Sequence, residues 1–315
     1  MNGGKIDYLR VRRRFRRPLQ TGRGPVEAVD RLLLRTETAD GVGYGEVAPW
    51  PGFPTESIDQ AVEVLRAAQG NLGRLRAVTA SAGGTLPCLR AALSSCDHWT
   101  EIAGFTGQLA GAGLAEAPTR AAIDAKVAEG HGTVKVKIDV TTRPDELRAT
   151  LAAVPGVRLR LDANGALDLT AARAWTEFAR AEARIDFVEQ PLPVGHPGYA
   201  SLGPDKVALD ESFLAPGGVD WAGPVVVKPS LVGDWDAFRA WRATRPGPVV
   251  YSSAFETAIG RQAALWLAAQ DPAAGVVGFD TLGRFERDGR ERHAGGPVVR
   301  GVLDLGWEDF WKELA

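Results

Sequence analysis

Apolar and polar residues alternate from Ile6 to Phe15, and Arg31–Val47 (RLLLRTETADGVGYGEV) reads as two strands meeting at Asp40–Gly41. That dipeptide favours a hairpin turn because both residues accept left-handed backbone. An antiparallel meander is therefore expected at the start of the chain. The Pro- and Gly-rich stretches Arg17–Glu27 and Glu46–Thr55 lack periodicity and read as loops. Thr55-Glu56-Ser57 caps a predicted helix to about Gln69. Leu86–Ala103 then carries Leu89, Ala92, Leu93 and Cys96 at the i, i+3, i+4 spacing of one helix face. Residues 1–103 are expected to form a small α+β unit.

Beyond residue 104, short apolar runs alternate with amphipathic stretches. The predicted strands are Gly107–Ala110, Thr133–Ile138, Arg158–Asp162, Asp186–Glu189, Lys206–Asp210, Val225–Lys228, Val249–Ser252 and Val276–Phe279. Between them lie predicted helices at Pro118–Glu129, Pro144–Ala153, Leu169–Ala181, Asp234–Thr244 and Glu256–Gln270, with short ones after Glu189 and Asp210. Such alternation means parallel strands with crossover helices. The fold class read here is α/β, a (β/α)8 barrel over 104–290 that follows the N-terminal α+β unit. An open doubly wound sheet is the structural alternative. No glycine fingerprint follows a strand in this half, which argues against dinucleotide binding.

Composition narrows the function. With 37 Lys+Arg against 39 Asp+Glu, the net charge is −2, so no global field favours nucleic acid or an anionic membrane. The longest apolar run, Ala263–Ala269, is too short to span a bilayer. Arg10, Arg12, Arg13, Arg14, Arg16 and Arg17 are followed by no apolar segment of a secretory signal, and a cytoplasmic location is expected. Their alternation suits a solvent-facing strand neutralised by the acidic tail. Cys88 and Cys96, eight residues apart on one predicted helix, would lie about 12 Å apart, too far for a disulfide. Oligomeric state is not legible.

The chemistry lies where charged residues end apolar strands. Lys135 and Lys137 lie in TVKVKID, Asp162 ends LRLDAN, Glu189 ends DFVEQP, Asp210 ends VALDES and Lys228 ends VVVKPS. Each of these positions taken alone suits a helix cap. Together they bring three carboxylates and two lysine strands to one end of successive βα steps, where barrel active sites form. Carboxylates so gathered repel unless a cation lies between them. Oxygen donors without His or Cys favour Mg²⁺, with Mn²⁺ as a substitute. Lys137 is the expected base and Lys228 faces it from the opposite side. Lys135, two residues from Lys137 on the same strand face, assists by depressing its pKa or touching a substrate oxygen. The set suits removal of a proton alpha to a carboxylate.

The ordered strings KxK (Lys135, Lys137), DAN (Asp162), VEQP (Glu189), DES (Asp210) and KP (Lys228) resemble the enolase superfamily, in its muconate-lactonising-enzyme-like branch. The resemblance implies an α+β capping domain and a modified barrel. It also implies Mg²⁺ on Asp162, Glu189 and Asp210, acid/base lysines at 137 and 228, and a C-terminal stretch, about 291–315, returning to the cap. Asn164, Gln190 and Glu211 are expected to orient the ligands.

Within that superfamily, absences discriminate. None of His98, His131, His196 and His293 ends the seventh strand, as a mandelate-racemase-like dyad requires. Phe279-Asp280-Thr281-Leu282 lacks the second aspartate of the dipeptide epimerases. The pattern Tyr251–Gly260, with Ser252 and Ser253 before a Glu-containing helix, resembles the o-succinylbenzoate-forming dehydratases of the menaquinone pathway. Ser252 and Ser253 are expected to bind a substrate carboxylate through their hydroxyls and a helix N-terminus. The implied reaction is dehydration of 2-succinyl-6-hydroxy-2,4-cyclohexadiene-1-carboxylate, with N-succinylamino acid racemisation as the alternative on the same groups. A Schiff-base aldolase, or a barrel that only binds, are alternatives of another class. The loops Pro18–Glu27 and Ala48–Thr55 are expected to cover the mouth, with Arg23, Trp50 and Phe53 near the substrate. The partner is a small carboxylate, with neither nucleic acid nor membrane.

Overall fold

The computed structural model describes residues 4–21, 24–245, 247–302 and 306–315. The opening alternation folds as a three-stranded antiparallel meander of β1 (Lys5–Thr21), β2 (Gly24–Thr38) and β3 (Gly41–Val47). The stretch read as a loop from Arg17 is largely strand. After an irregularity between Arg14 and Leu19, pairing resumes as Leu19↔Val26, Gln20↔Pro25 and Thr21↔Gly24. Backbone pairing thus carries the two arms well past the last apolar alternation. Arg23 lies outside the described residues.

Alternation decides which arginines face water. Val11, Arg13 and Phe15 are buried while Arg10, Arg12 and Arg14 are not. Asp30 and Asp59 partner Arg10, and Asp30 partners Arg12. Among the described residues, the C-terminal stretch meets this run only through Glu291, 3.9 Å from Arg13. Arg13 departs furthest from the reading: it is buried, bonds Asp288 at 2.9 Å and covers the Phe285 ring. Its parity in β1 points it inward, and only the fold could show a partner there.

Helices α1 (Ile58–Ala68), α2 (Leu72–Ser81), α3 (Pro87–Asp97) and α4 (Trp99–Ala103) follow. Ser57 and Gln60 exchange side-chain and backbone bonds in a capping box that starts α1. The single helix expected over Leu86–Ala103 is broken at His98, which caps α3 and begins α4. Gly43 and Gly45 let α3 lie directly on β3: a Cβ at either would come within 2.3 Å or 2.1 Å of the carbonyl oxygens of Cys96 and Ala92. Cys88 and Cys96 are free and buried.

The second half contains β4 (Gln108–Ala110), β5 (Gly113–Ala115), α5 (Arg120–Ala128), β6 (Thr133–Lys137), α6 (Pro144–Ala153), β7 (Arg158–Asp162), α7 (Leu169–Ala181), β8 (Ile185–Glu189), α8 (Tyr199–Leu202), β9 (Val207–Ala208), β10 (Val225–Val227), α9 (Trp235–Thr244), β11 (Val249–Tyr251) and α10 (Ala258–Ala269). Strands β5 to β9 form one parallel sheet. Parallel bridges Leu209↔Val225, Ser252↔Gly278 and Gly111↔Val277, with the β10–β11 ladder, carry the pairing onward and back to the segment that starts it. The strand predicted at Gly107–Ala110 is corrected. As β4 it pairs antiparallel with β12 (Val298–Arg300), and the parallel ring takes Gly111 and β5 instead. The last helix, α11 (Trp307–Leu314), buries Trp307, Phe310 and Trp311, and its Glu308 bonds Arg35 and Tyr44 of the meander. The largest apolar cluster joins that tail to α10 and the ring. Burying each large side chain there contributes roughly 2–3 kcal/mol. Among the described residues, no helix is long and apolar enough to cross a membrane.

Candidate active site

Strand period places the site. Val134 and Val136 are fully buried, while Lys135 and Lys137 alternate with them toward the ring axis. Register then aligns the chemistry on one rung, Lys137 opposite Asp162 and Asp162 opposite Glu189. Asp210 follows the short β9, Lys228 follows β10, and Ser252 follows β11. Lys135, Lys137, Asp162, Asn164, Asp210, Glu211, Lys228, Ser252 and Ser253 line one cavity. Glu189 lies beneath it, tied to Lys135.

The two lysines of β6 are in different states. Lys135 Nζ is 2.9 Å from Asp162 and 2.8 Å from Glu189, a cation locked between two buried carboxylates. Lys137 bonds neither and donates instead to the carbonyl of Gln20 at 2.8 Å. Burial, helped by the positive charges of Lys135 and Arg284 and opposed by Asp162, lowers the Lys137 pKa and favours the neutral amine a base requires. Lys228 pairs with Asp210 and stands 4.5 Å from the centre of the Phe53 ring.

The carboxylates carry more negative charge than these partners neutralise comfortably. Burial first, then Asp162 and Asp210, push Glu189 up to about 8 against the pull of Lys135. Asp162, equally buried, is held below its ordinary value by Lys135 and Lys137. Glu211 is pushed up to about 7, by burial and then by Asp210, and among the described residues its buried Oε2 has no hydrogen-bond partner. An all-oxygen donor set, crowded like charges and an orphaned carboxylate oxygen in one cavity fit a hard divalent cation on Asp162, Glu189 and Asp210.

The residues expected to orient the ligands divide. Asn164 donates to both carboxylate oxygens of Asp162, through its backbone and its side chain. Gln190 accepts from the backbone N–H groups of Asp210 and Ser212 and so fixes the loop after β9. Both sit at positive φ, where the chain turns sharply after each strand. Glu211 makes no such bond and faces the cavity itself.

Ser252 and Ser253 reach the cavity, but their hydroxyls donate elsewhere, Ser252 to Gly278 O and Ser253 to Glu256. The helix N-terminus expected to assist them is already capped. Glu46, from β3, accepts from Thr257 N, Thr257 Oγ1 and Gly260 N at the start of α10. Trp50 and the end of the β1 arm, Leu19 to Thr21, complete the lining, so both expected covering segments reach the mouth. The sequence reading missed the Gln20 carbonyl, which no side-chain pattern reveals, and the clamp made by Glu256, which accepts from Ser230, Ser253 and Ala254 N. Asp280 also borders the cavity, with its carboxylate held by Leu114 N and Lys126.

This α+β unit, parallel ring and carboxylate–lysine rung define a class, and in it the chain is similar to proteins of the enolase superfamily. Residues 119–220 match the model of the enolase C-terminal domain-like family. Among curated relatives, the chain is 29% identical to o-succinylbenzoate synthase of Thermosynechococcus vestitus, over 94% of this chain and 95% of that one. It is 28% identical to the enzyme of the same name from an Enterobacter species, over 85% of this chain and 88% of that one. Among solved structures, o-succinylbenzoate synthase from Thermosynechococcus elongatus, complexed with Mg in its active site, superposes with a TM-score of 0.82 at 27% identity, covering 98% of this chain and 99% of that one. A dipeptide epimerase from Methylococcus capsulatus, 23% identical with a TM-score of 0.76 over 96% and 98% of the two chains, shares the fold.

Proposed function

We propose that this chain is an o-succinylbenzoate synthase, a Mg²⁺-dependent hydro-lyase that dehydrates 2-succinyl-6-hydroxy-2,4-cyclohexadiene-1-carboxylate in menaquinone biosynthesis. The observation that carries the reading is the pair Lys137 and Lys228, on β6 and after β10 of an eight-segment ring, bordering one cavity with buried Asp162 and Asp210. Similarity to synthases along nearly the full chain supports it.

In this reading the neutral amine of Lys137 takes the proton from the ring carbon that bears the carboxylate. The electron pair left behind forms the new ring double bond as the neighbouring C–O bond breaks. Lys137, now an ammonium, returns its proton to the departing hydroxide, so water leaves and the aromatic ring remains. Lys228, held by Asp210 and Phe53, keeps a positive charge on the other side as negative charge develops. Lys135 balances Asp162 and Glu189 and helps keep Lys137 uncharged. Asp162, Glu189 and Asp210 would hold Mg²⁺, whose chemistry when bound is Lewis-acid stabilisation of charge on the substrate carboxylate. Trp50 and the β1 arm exclude water. Residues 1–103, with the tail from about 291, serve as the cap. The enzyme acts in the cytoplasm on a small carboxylate. Ser252 and Ser253 meet a substrate carboxylate through rotated hydroxyls rather than a free helix end.

The test follows the loss of cyclohexadiene absorbance with Mg²⁺ and with excess EDTA. Metal-dependent turnover, abolished in Lys137→Ala, is expected. A folded, Mg²⁺-bound protein without turnover would overturn the reading. Exchange of the alpha proton of N-succinylamino acids in D₂O would then identify the racemase, for which Lys228 on the second face is already in place.

A further inference from the structure

We infer that Glu129, His131 and Asp280 form a second divalent-cation site, suited to Zn²⁺ and separate from the Asp162, Glu189 and Asp210 set. Glu129 and His131 flank Gly130 in the turn between α5 and β6, and Asp280 follows the last segment of the ring. The three residues bring one carboxylate oxygen each from Glu129 and Asp280, and one imidazole nitrogen, within 4.8 Å of one another.

The imidazole supplies the independent sign of a missing ligand. His131 is 2% exposed, and its Nδ1 lies 2.9 Å from the carbonyl oxygen of Gly111. A carbonyl only accepts, so Nδ1 carries a proton and Nε2 is the ring nitrogen that can ligate. Among the described residues, that Nε2 is buried with no hydrogen-bond partner, 3.6 Å from Glu129 Oε2. A far nitrogen fixed by a backbone carbonyl is the arrangement that metal-ligating histidines adopt.

Lys126 accounts for only part of the convergence. Its Nζ is 3.0 Å from Glu129 Oε2 and 2.8 Å from Asp280 Oδ2, which leaves the His131 nitrogen unserved. A divalent ion would satisfy all three at once, in the place that the Lys126 ammonium takes between Glu129 and Asp280. The cradle is also sterically specific. A Cβ on Gly113 would come within 2.9 Å of Lys126 Cδ and 3.0 Å of the His131 ring. One nitrogen, two carboxylate oxygens and a water make the tetrahedral set of Zn²⁺, whereas imidazole is a poor ligand for Mg²⁺. A bound ion would tie the turn before β6 to the end of the last segment, across the seam where Gly111 pairs with Val277.

The experiment dialyses the chelator-treated full chain against Zn²⁺ and measures bound zinc. Wild type is expected to hold two ions per chain. Glu129→Gln, at an exposed position, and His131→Gln should each hold one, and Lys126→Met should bind the second ion at least tenfold more tightly than wild type. Asp162→Asn should also lose one equivalent, but the other, which is then lost on adding Glu129→Gln. Because that count involves no turnover, it stands whether or not the proposed synthase activity does. Zinc binding that both Glu129→Gln and His131→Gln leave at the wild-type count, whether that count is one or two, overturns the inference.

Discussion

Two clusters of buried charge stand a short distance apart in this molecule, and they are built on opposite principles. At the junction of meander and ring, Arg31, Glu46 and Glu256 are almost wholly buried. Each carboxylate oxygen there accepts from a named donor, Glu46 from Thr257 and Gly260, Glu256 from Ser230, Ser253 and Ala254. Arg31 reaches the carbonyls of Pro49 and Ala254. In the cavity, by contrast, among the described residues Glu211 keeps an oxygen with no hydrogen-bond partner, Glu189 is forced up to about 8, and Lys137 donates to a backbone carbonyl alone. Buried charge with all bonds made joins elements, whereas buried charge left incomplete awaits a ligand.

The strongest way to break this contrast is to exchange the consequences of mutation. Lys137→Ala should lower kcat/KM about 10³-fold or more with little change in unfolding midpoint, since general acid and base are removed together. Asp162→Asn or Glu189→Gln should do likewise and also weaken Mg²⁺ binding, measured by calorimetry. Arg31→Met should behave in the opposite way. It strips donors from buried partners and should cost about 3 kcal/mol in denaturant unfolding, while Mg²⁺ affinity in the folded fraction stays within about twofold. Equal losses of stability from Arg31→Met and Lys137→Ala would dissolve the distinction.

A pH series sharpens it. The folded-state pKa values of Glu189 (about 8) and Glu211 (about 7) lie above the unfolded value, so their contribution to stability is present below about pH 4.5 and is withdrawn as pH rises through 7 to 8. Metal-free protein should therefore lose Tm between pH 5 and 8.5, and the Tm gained on adding Mg²⁺ should grow over the same range. Glu46, raised by burial to about 7, contributes with the same sign but should be indifferent to Mg²⁺. A Mg²⁺ increment that shrinks with pH would refute the assignment.

Lys135→Met offers a finer test. Removing that charge should raise the Lys137 pKa, moving the acid limb of the pH–rate profile upward by on the order of one unit. Smallest of all, Arg10→Ala breaks exposed pairs with Asp30 and Asp59 and should change stability by less than about 1 kcal/mol.

The rung of Lys137, Asp162 and Glu189 was legible in the chain because a parallel strand buried on both faces tolerates charge mainly at its end, and each of these residues ends an apolar run. The helices at Pro144–Ala153 and Leu169–Ala181 were legible for the same local reason, an amphipathic period with clear ends. Only the tertiary structure could decide what depends on partners far apart in sequence. It set the inward partners of Arg13, the occupation of the α10 N-terminus by Glu46, the seat of Lys137 against the Gln20 carbonyl and the unpartnered nitrogen of His131. Local pattern determines which side chains an element must bury, because burial follows the element's own period. Which group meets them there is set by contacts between distant segments, and a carbonyl oxygen leaves no mark on the order of side chains.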